Sequence, residues 1–198
     1  MATNATAERP TARERLLAAA DQLFYEEGVH VVGIDRVIER AGVAKATLYS
    51  AFGSKDGLIK AYLAERHDNR RRRLTTAVAR QTDPRERLLA VFDALGEAFA
   101  EPTYRGCAFL NASAEAGPES SIVQATDTYR AWVRELFTEL AAAVGAADPA
   151  QLARQLVLLY DGAGVSARMD RDPSAAAAAR TVAAALVDTA AAGAPARG

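Results

Sequence analysis

Apolar residues recur at three- and four-residue intervals along almost the whole chain, and no stretch shows the strict alternation of a half-buried strand. Thr11 opens the first helix with Glu14 three positions later, the spacing of a capping box. Leu16, Leu17, Ala20, Leu23 and Phe24 form its apolar face, and Gly28 closes it. Ile34, Val37, Ile38 and Ala41 make the stripe of a second, short helix, which Gly42 ends by accepting left-handed backbone. A third runs from about Ala44 to Phe52 with Leu48 inward, flanked by Ala44, Ala51 and Phe52, while Val43 plugs the gap between the two. Gly53 then breaks the chain and Ser54 caps a long fourth helix over about residues 55 to 81. Leu58, Ile59, Tyr62 and Leu63 mark one end of it as buried, and Leu74 and Val78 the other. Residues 64 to 73, with four consecutive arginines from Arg70 to Arg73, read as a solvated shaft between them.

Beyond the shaft, Asp-Pro occurs at 83–84, 148–149 and 172–173, each time before an apolar helical pattern. Aspartate caps, and proline at the first helical position loses no internal hydrogen bond. Helices are expected at 84–100, 107–116, 120–145 (following Pro118), 149–169 and 173–191. The fold class is all-α, about nine helices. Residues 1–10 read as a disordered polar segment, 11–56 as a three-helix head and 57–198 as a second helical domain, with the fourth helix joining the two.

Residues 34–52 form a helix, a glycine turn and a second short helix. On a helical wheel Ala46, Thr47, Tyr49 and Ser50 point outward, with Lys45 at the amino end. Short polar groups, a methyl, a phenol and a cation suit a major groove, where they reach base edges and phosphates. The same spacing also occurs as plain packing in proteins that bind no DNA. At the start of the fourth helix, free amides and Lys55 suit a phosphate clamp as well as they suit a capped helix.

The run AGVAKATLYSAFGSKDGLI resembles the signature of TetR-like bacterial transcriptional regulators, carried here by Ala41, Gly42, Val43, Leu48, Tyr49, Phe52, Ser54, Lys55, Asp56 and Leu58. The resemblance covers about the first third of the chain. Ala44 departs from it where Ser or Thr is frequent, and Gly33 where a capping Thr is. It implies a homodimeric repressor on a palindromic operator in double-stranded DNA, released by a small-molecule effector held in the second domain. In that frame Thr47 and Tyr49 hold phosphates while Lys45, Ala46 and Ser50 meet bases. Activation instead of repression, or a helical interaction module, are the alternatives.

Composition narrows the rest. With 198 residues, half of them hydrophobic, the chain buries a full core without cross-links. Residues 1–80 hold 14 Lys and Arg against 10 acids, and residues 81–198 hold 10 against 15, so only the head is net positive. Cys107 is the single cysteine, which excludes an intrachain disulfide and speaks against structural zinc; no metal or cofactor is expected. Residues 1–10 lack the apolar core of a secretory signal, and no run approaches the roughly 18 apolar residues of a membrane span, so the expected location is the cytoplasm without membrane contact.

Residues 104–115 mix an aromatic, a thiol, an amide and a carboxylate on a short helix and suit an effector cavity. Cys107, Asn111 and Glu115 are the candidates there, with Phe92, Phe99, Tyr129, Trp132 and Tyr160 as walls, although aromatics at such spacing are also ordinary core. The last two helices are apolar or alanine-rich around most of their circumference and suit a dimer interface, with Leu156, Leu159, Ala163, Val182 and Leu186 as candidates. An enzyme is not expected. His30 and His67 are the only histidines, neither has a ligand-spaced partner, and the glycines of GAG at 162–164 sit inside a helix with no strand before them.

Overall fold

A computed structural model describes residues 9–117 and 120–192. The expectations for residues 1–8, for Pro118 and for 193–198 lie outside the described residues. Within them the chain forms nine α-helices and no strand. The first four are α1 (Ala12–Glu27), α2 (Ile34–Ala41), α3 (Lys45–Phe52) and α4 (Lys55–Ala79). They are followed by α5 (Pro84–Phe99), α6 (Ala108–Glu115), α7 (Ser121–Ala143), α8 (Pro149–Asp170) and α9 (Ala175–Ala192).

Local chemistry sets most helix ends. The Thr11 hydroxyl accepts from Glu14 N at 3.2 Å and the Glu14 carboxylate accepts from Thr11 N at 2.7 Å, completing the capping box. Asp83 and Asp148 each accept from the amide three residues on, at 3.0 and 2.9 Å, with proline in the first turn. The third Asp-Pro behaves differently. Asp172 accepts from Ser174 N and Ser174 Oγ, a local Asx-type turn, and α9 starts only at Ala175. Here the carboxylate satisfies the turn and not the helix.

The head is a small three-helix core. Val37, Ala41 and Leu48 of α2 and α3 close against Leu16, Ala20, Leu23 and Phe24 of α1, all buried, with Ile34, Ile38 and Leu17 half-buried around them. Arg15 donates to Ala41 O at 3.1 Å and ties the end of α2 back to α1. α4 packs its first turns onto this core through Leu58, Ile59, Tyr62 and Leu63. At Gly57 a Cβ would lie 2.0 Å from the carbonyl oxygen of Phe52, so the junction of α3 and α4 admits only glycine.

α4 then enters the second core, where Leu74 and Val78 meet α5 and α7. α5 packs on α9, α7 on α8, and α8 on α9, with α6 laid across α7 and α4. α9 is long and apolar enough, by length and composition, to cross a bilayer, which amends the expectation that no segment approaches a membrane span. Its apolarity is mostly alanine, and it is fastened to α5 by charge: Arg180 pairs with Glu86 at 3.0 Å and with Asp93 at 2.8 Å, and Asp188 with Arg85 at 2.6 Å. Ala176, Ala179, Ala183 and Val187 make its buried stripe.

The shaft of α4 departs from the solvated reading. Four consecutive helical residues are spread over about 300° of the helix circumference, so an arginine run cannot face water throughout. Arg66 grips Asp21 of α1 with two hydrogen bonds of 2.5 and 2.9 Å and lies over the Tyr25 ring at 3.8 Å. Arg70 turns into the second domain and donates to Tyr160 Oη at 3.0 Å. His67 stands among Phe109, Tyr129 and Trp132, with ring centroids 6.5, 5.9 and 5.3 Å away and its buried Nε2 unpartnered.

Burial among these rings lowers the His67 pKa below its ordinary 6.5, so the folded protein holds it neutral. As pH falls through that ordinary value the unfolded chain takes up the proton first, and the stabilisation is lost toward acid. Thermal melting of the protein should therefore fall more steeply from about pH 7 to about pH 5 than that of His67→Leu. Equal slopes for the two would show that His67 does not contribute.

Candidate nucleic-acid interface and effector cavity

α3 lies on the outside of the head with Leu48 fully buried beneath it. Lys45, Ala46, Tyr49 and Ser50 are exposed on its outer face, Tyr49 to 46%, a large value for an aromatic in so small a core. Thr47, expected outside with them, is half-buried at the edge of that face, and Ala44, expected to flank the inward side, is exposed. Neither Gly33 before α2 nor Ala44 before α3 supplies a side-chain cap, and both are in extended backbone that leaves the first amides of each helix open. The turn between the helices is held by Gly42 in the left-handed region and by Val43 N donating to Ile38 O at 3.3 Å.

The charges around this face are partly committed. Lys45 Nζ sits 2.9 Å from Asp35 of α2, and that hydrogen bond, with the attraction of the carboxylate, raises the lysine pKa. Both side chains are more than half exposed, so the pair is weak and a phosphate can compete for the ammonium. Arg13 lies over the Phe52 ring at 5.0 Å, a stacked position on the head's surface. Lys55, expected as a phosphate clamp, is half-buried. Its ammonium turns to His30 O at 3.3 Å, and partial burial lowers its pKa, with Glu115 opposing that shift.

The second domain holds a cavity of about 600 Å³ lined from α4, α5, α6, α7 and α8, within the size range of small-ligand sites. Of the residues expected to line it, Phe99, Cys107, Asn111, Tyr129 and Tyr160 do. Phe92 does not: it is fully buried beside Phe137 with ring centroids 6.0 Å apart, an ordinary core contact. Trp132 stands one turn away against His67, outside the lining. Glu115 shares a helix face with Asn111, yet the helix end carries it out of the cavity to the head, where it accepts from His30 N at 2.9 Å. A Cβ on Gly28 would come within 2.7 Å of Glu115 Oε1, so the glycine at the end of α1 also makes room for this contact.

The sequence reading missed the cavity's polar wall. The Tyr129 and Tyr160 hydroxyls lie 2.8 Å apart, and burial holds the Tyr129 hydroxyl well above its ordinary pKa. Arg70 donates to Tyr160, and Arg130 pairs with Asp161 at 2.6 Å. Phe109 stacks flat on Tyr129 with centroids 4.1 Å apart, and Tyr104 donates to Gly164 O at 3.1 Å. One signal was available: Arg130 and Asp161 each follow one of the two tyrosines, so the two helices present matched polar pairs.

The expected interface residues divide by their depth. Leu156 and Ala163 are buried inside the protomer and cannot form an outer face; Leu159 and Leu186 are half-buried; Val182 is 48% exposed. The apolar residues that do stand out on α8 are Leu158, 72% exposed, and Met169, 75% exposed, with Val165 one face-repeat after Leu158. One residue of wheel rotation separates this stripe from the one expected, because LVLLY is apolar in every direction.

Comparison with known proteins agrees with this geometry. The family described as bacterial regulatory proteins, tetR family, matches residues 16–62, and the one described as tetracyclin repressor-like, C-terminal domain, matches residues 84–183. A crystal structure of a TetR-family transcriptional regulator from Streptomyces coelicolor is 36% identical, covers 91% of this chain and 96% of its own, and superposes with a TM-score of 0.86. The HTH-type transcriptional activator FasR of Mycolicibacterium smegmatis is 40% identical over 86 residues, 43% of this chain and 39% of FasR. The HTH-type transcriptional repressor BdcR of Escherichia coli is 39% identical over 57 residues, 29% of either chain. The match thus spans less than half the length of these two curated relatives. All three are transcriptional regulators by name, which sets the enzymatic alternative aside. From the buried seat of Leu48 under an exposed recognition face to the cavity-bearing helical bundle behind it, the chain belongs to the tetR family of bacterial regulatory proteins.

Proposed function

We propose that this chain is a cytoplasmic, homodimeric repressor that covers a palindromic operator and leaves it when a small molecule fills the cavity. In this reading residues 11–56 contact DNA and residues 57–198 take the effector and the second subunit. The observation that carries it is the exposed face of α3, whose Lys45, Ala46, Tyr49 and Ser50 stand clear of the head core. One such face supplies few base contacts, so two heads about 34 Å apart, one turn of duplex, or a multiple of it, are needed to read a palindrome. Lys45, Ala46 and Ser50 meet bases, and Tyr49 with the edge residue Thr47 holds phosphates.

The second subunit docks on the α8 and α9 face that exposes Leu158 and Val182, with Leu159 and Leu186 at its margin. Two bridges carry an effector signal to the head. α4 has Arg70 at the cavity and Tyr62 in the head core, and α6 has Asn111 at the cavity and Glu115 on His30 N. A ligand that favours a different setting of these helices changes head spacing, and it lowers operator affinity only by its differential affinity for the two settings. A second reading, an activator on the same operator, is favoured by the name of FasR; a reporter fused to the operator distinguishes the two by whether removing the protein raises or lowers expression.

Selection of bound fragments from random DNA should yield a palindrome, with binding that weakens steeply as salt is raised. On that operator Lys45→Ala should cost about 1–3 kcal/mol, and Tyr49→Ala, which loses a phosphate contact, should weaken binding about evenly across sequences. Asp35→Asn should tighten binding, since it frees Lys45 and removes a carboxylate from the contact side. An operator affinity that none of the three changes would remove α3 as the reading element.

Leu158→Glu should leave helicity intact and convert the dimer to monomer in sedimentation, with operator binding weakened at least about tenfold. A dimer that survives this charge in the middle of the exposed stripe would place the interface elsewhere.

A further inference from the structure

The geometry points to an amphipathic carboxylate as the ligand of the α4–α8 cavity, its head on Arg70 and its apolar body along the aromatic wall. This rests on the reading of that cavity as the effector site, and it names what chemistry the site selects.

Arg70 is the reason. Its guanidinium opens into the cavity, where its side chain has one hydrogen bond, Nη1 to Tyr160 Oη at 3.0 Å, and no carboxylate partner among the described residues. The acids that share a cavity lining with it are committed to other arginines: Asp21 to Arg66 at 2.5 Å, Glu101 to Arg73 at 2.6 Å, and Asp161 to Arg130 at 2.6 Å. Guanidinium cannot shed its proton at any accessible pH, so an enclosed cation stands without a counter-charge. Its free N–H donors form a planar fork that a carboxylate fills with two parallel bonds. A second arginine, Arg168, lines the same cavity without an acid partner, so the lining carries a net positive charge.

The rest of the wall has the opposite character. Leu95, Phe99, Phe109, Leu110, Val165 and Met169 line the space, and Leu110 and Met169 remain 52% and 75% exposed. A small polar anion would leave that surface wet, and a neutral hydrocarbon would leave Arg70 unmatched. A molecule with both parts satisfies each wall. Because Arg70 belongs to α4, the carboxylate would bind directly to the helix that enters the head.

Decanoate, decanol and decylamine share one apolar body and differ in the head, and Trp132, the single tryptophan, lies 6.3 Å from the cavity residue Tyr129 and reports binding by fluorescence. Decanoate should bind the full-length protein at least about tenfold more tightly than either of the others. Arg70→Gln should abolish that preference, while Arg70→Lys, which keeps the charge but loses the planar fork, should retain only part of it; circular dichroism of each variant checks that the fold is kept. Decanol or decylamine binding as tightly as decanoate, or no decanoate binding at millimolar concentration, overturns the assignment. Operator affinity is read separately. Decanoate preference without loss of operator affinity leaves the ligand class standing and overturns the effector reading instead.

Discussion

α4 belongs to two hydrophobic cores at once, and the behaviour of the molecule follows from that sharing. Its first turns bury Leu58, Ile59, Tyr62 and Leu63 against the head, and its last bury Leu74 and Val78 in the bundle. An α-helix resists bending because every turn is hydrogen-bonded to the next, so a displacement at one end is transmitted to the other. A flexible linker in this position would let the head move without regard to the bundle. The middle of the helix is held by charge and rings: Arg66 on Asp21 and Tyr25, His67 among aromatics, Arg70 at the cavity. These contacts are directional and can be exchanged for others, which an apolar core contact cannot do so readily.

α6 forms a second, shorter bridge with a different character. Its cavity face carries Leu110, Asn111 and Ser113, while its last residue, Glu115, reaches the loop after α1. The N-terminal turn of α7 adds a third contact, between Ser121 and Asp56. Glu115 and Asp56 are surface carboxylates, and such links are individually weak. Weak contacts in parallel with one stiff helix suit a device with two settings of similar energy, since neither setting is locked.

Polar groups inside the second domain are costly to bury, and the cavity is where they collect. Asp161 and Arg130 neutralise one another, and the Tyr129 and Tyr160 hydroxyls share a hydrogen bond, so those groups are internally matched. Arg70 is matched only by a phenol. The contrast between this matched set and two arginines without an acid partner, Arg70 beside Phe99 and Phe109 and Arg168 on α8, is what gives the cavity a chemical preference and not merely a volume.

Helix number, helix type and the caps at Thr11, Ser54, Asp83 and Asp148 were legible in the sequence, because they depend on residues within one turn of each other. So was the outward face of α3, where Leu48 sets the inward direction and glycines bound the element. Which side of an element meets which neighbour was not legible wherever apolar or charged residues run all the way round. LVLLY did not say that Leu156 turns in and Leu158 out, and the arginine run did not say that Arg70 alone among its four enters the cavity. Glu115 and Asp172 show the same limit: their local spacing suited a cavity wall and a helix cap, but the head loop and the Ser174 turn claimed them. The chain by itself determined the rods and their ends, since short-range hydrogen bonding decides those; the tertiary structure alone decided the partners of each face, since packing distant segments together chooses among rotations that local sequence leaves nearly equal in energy.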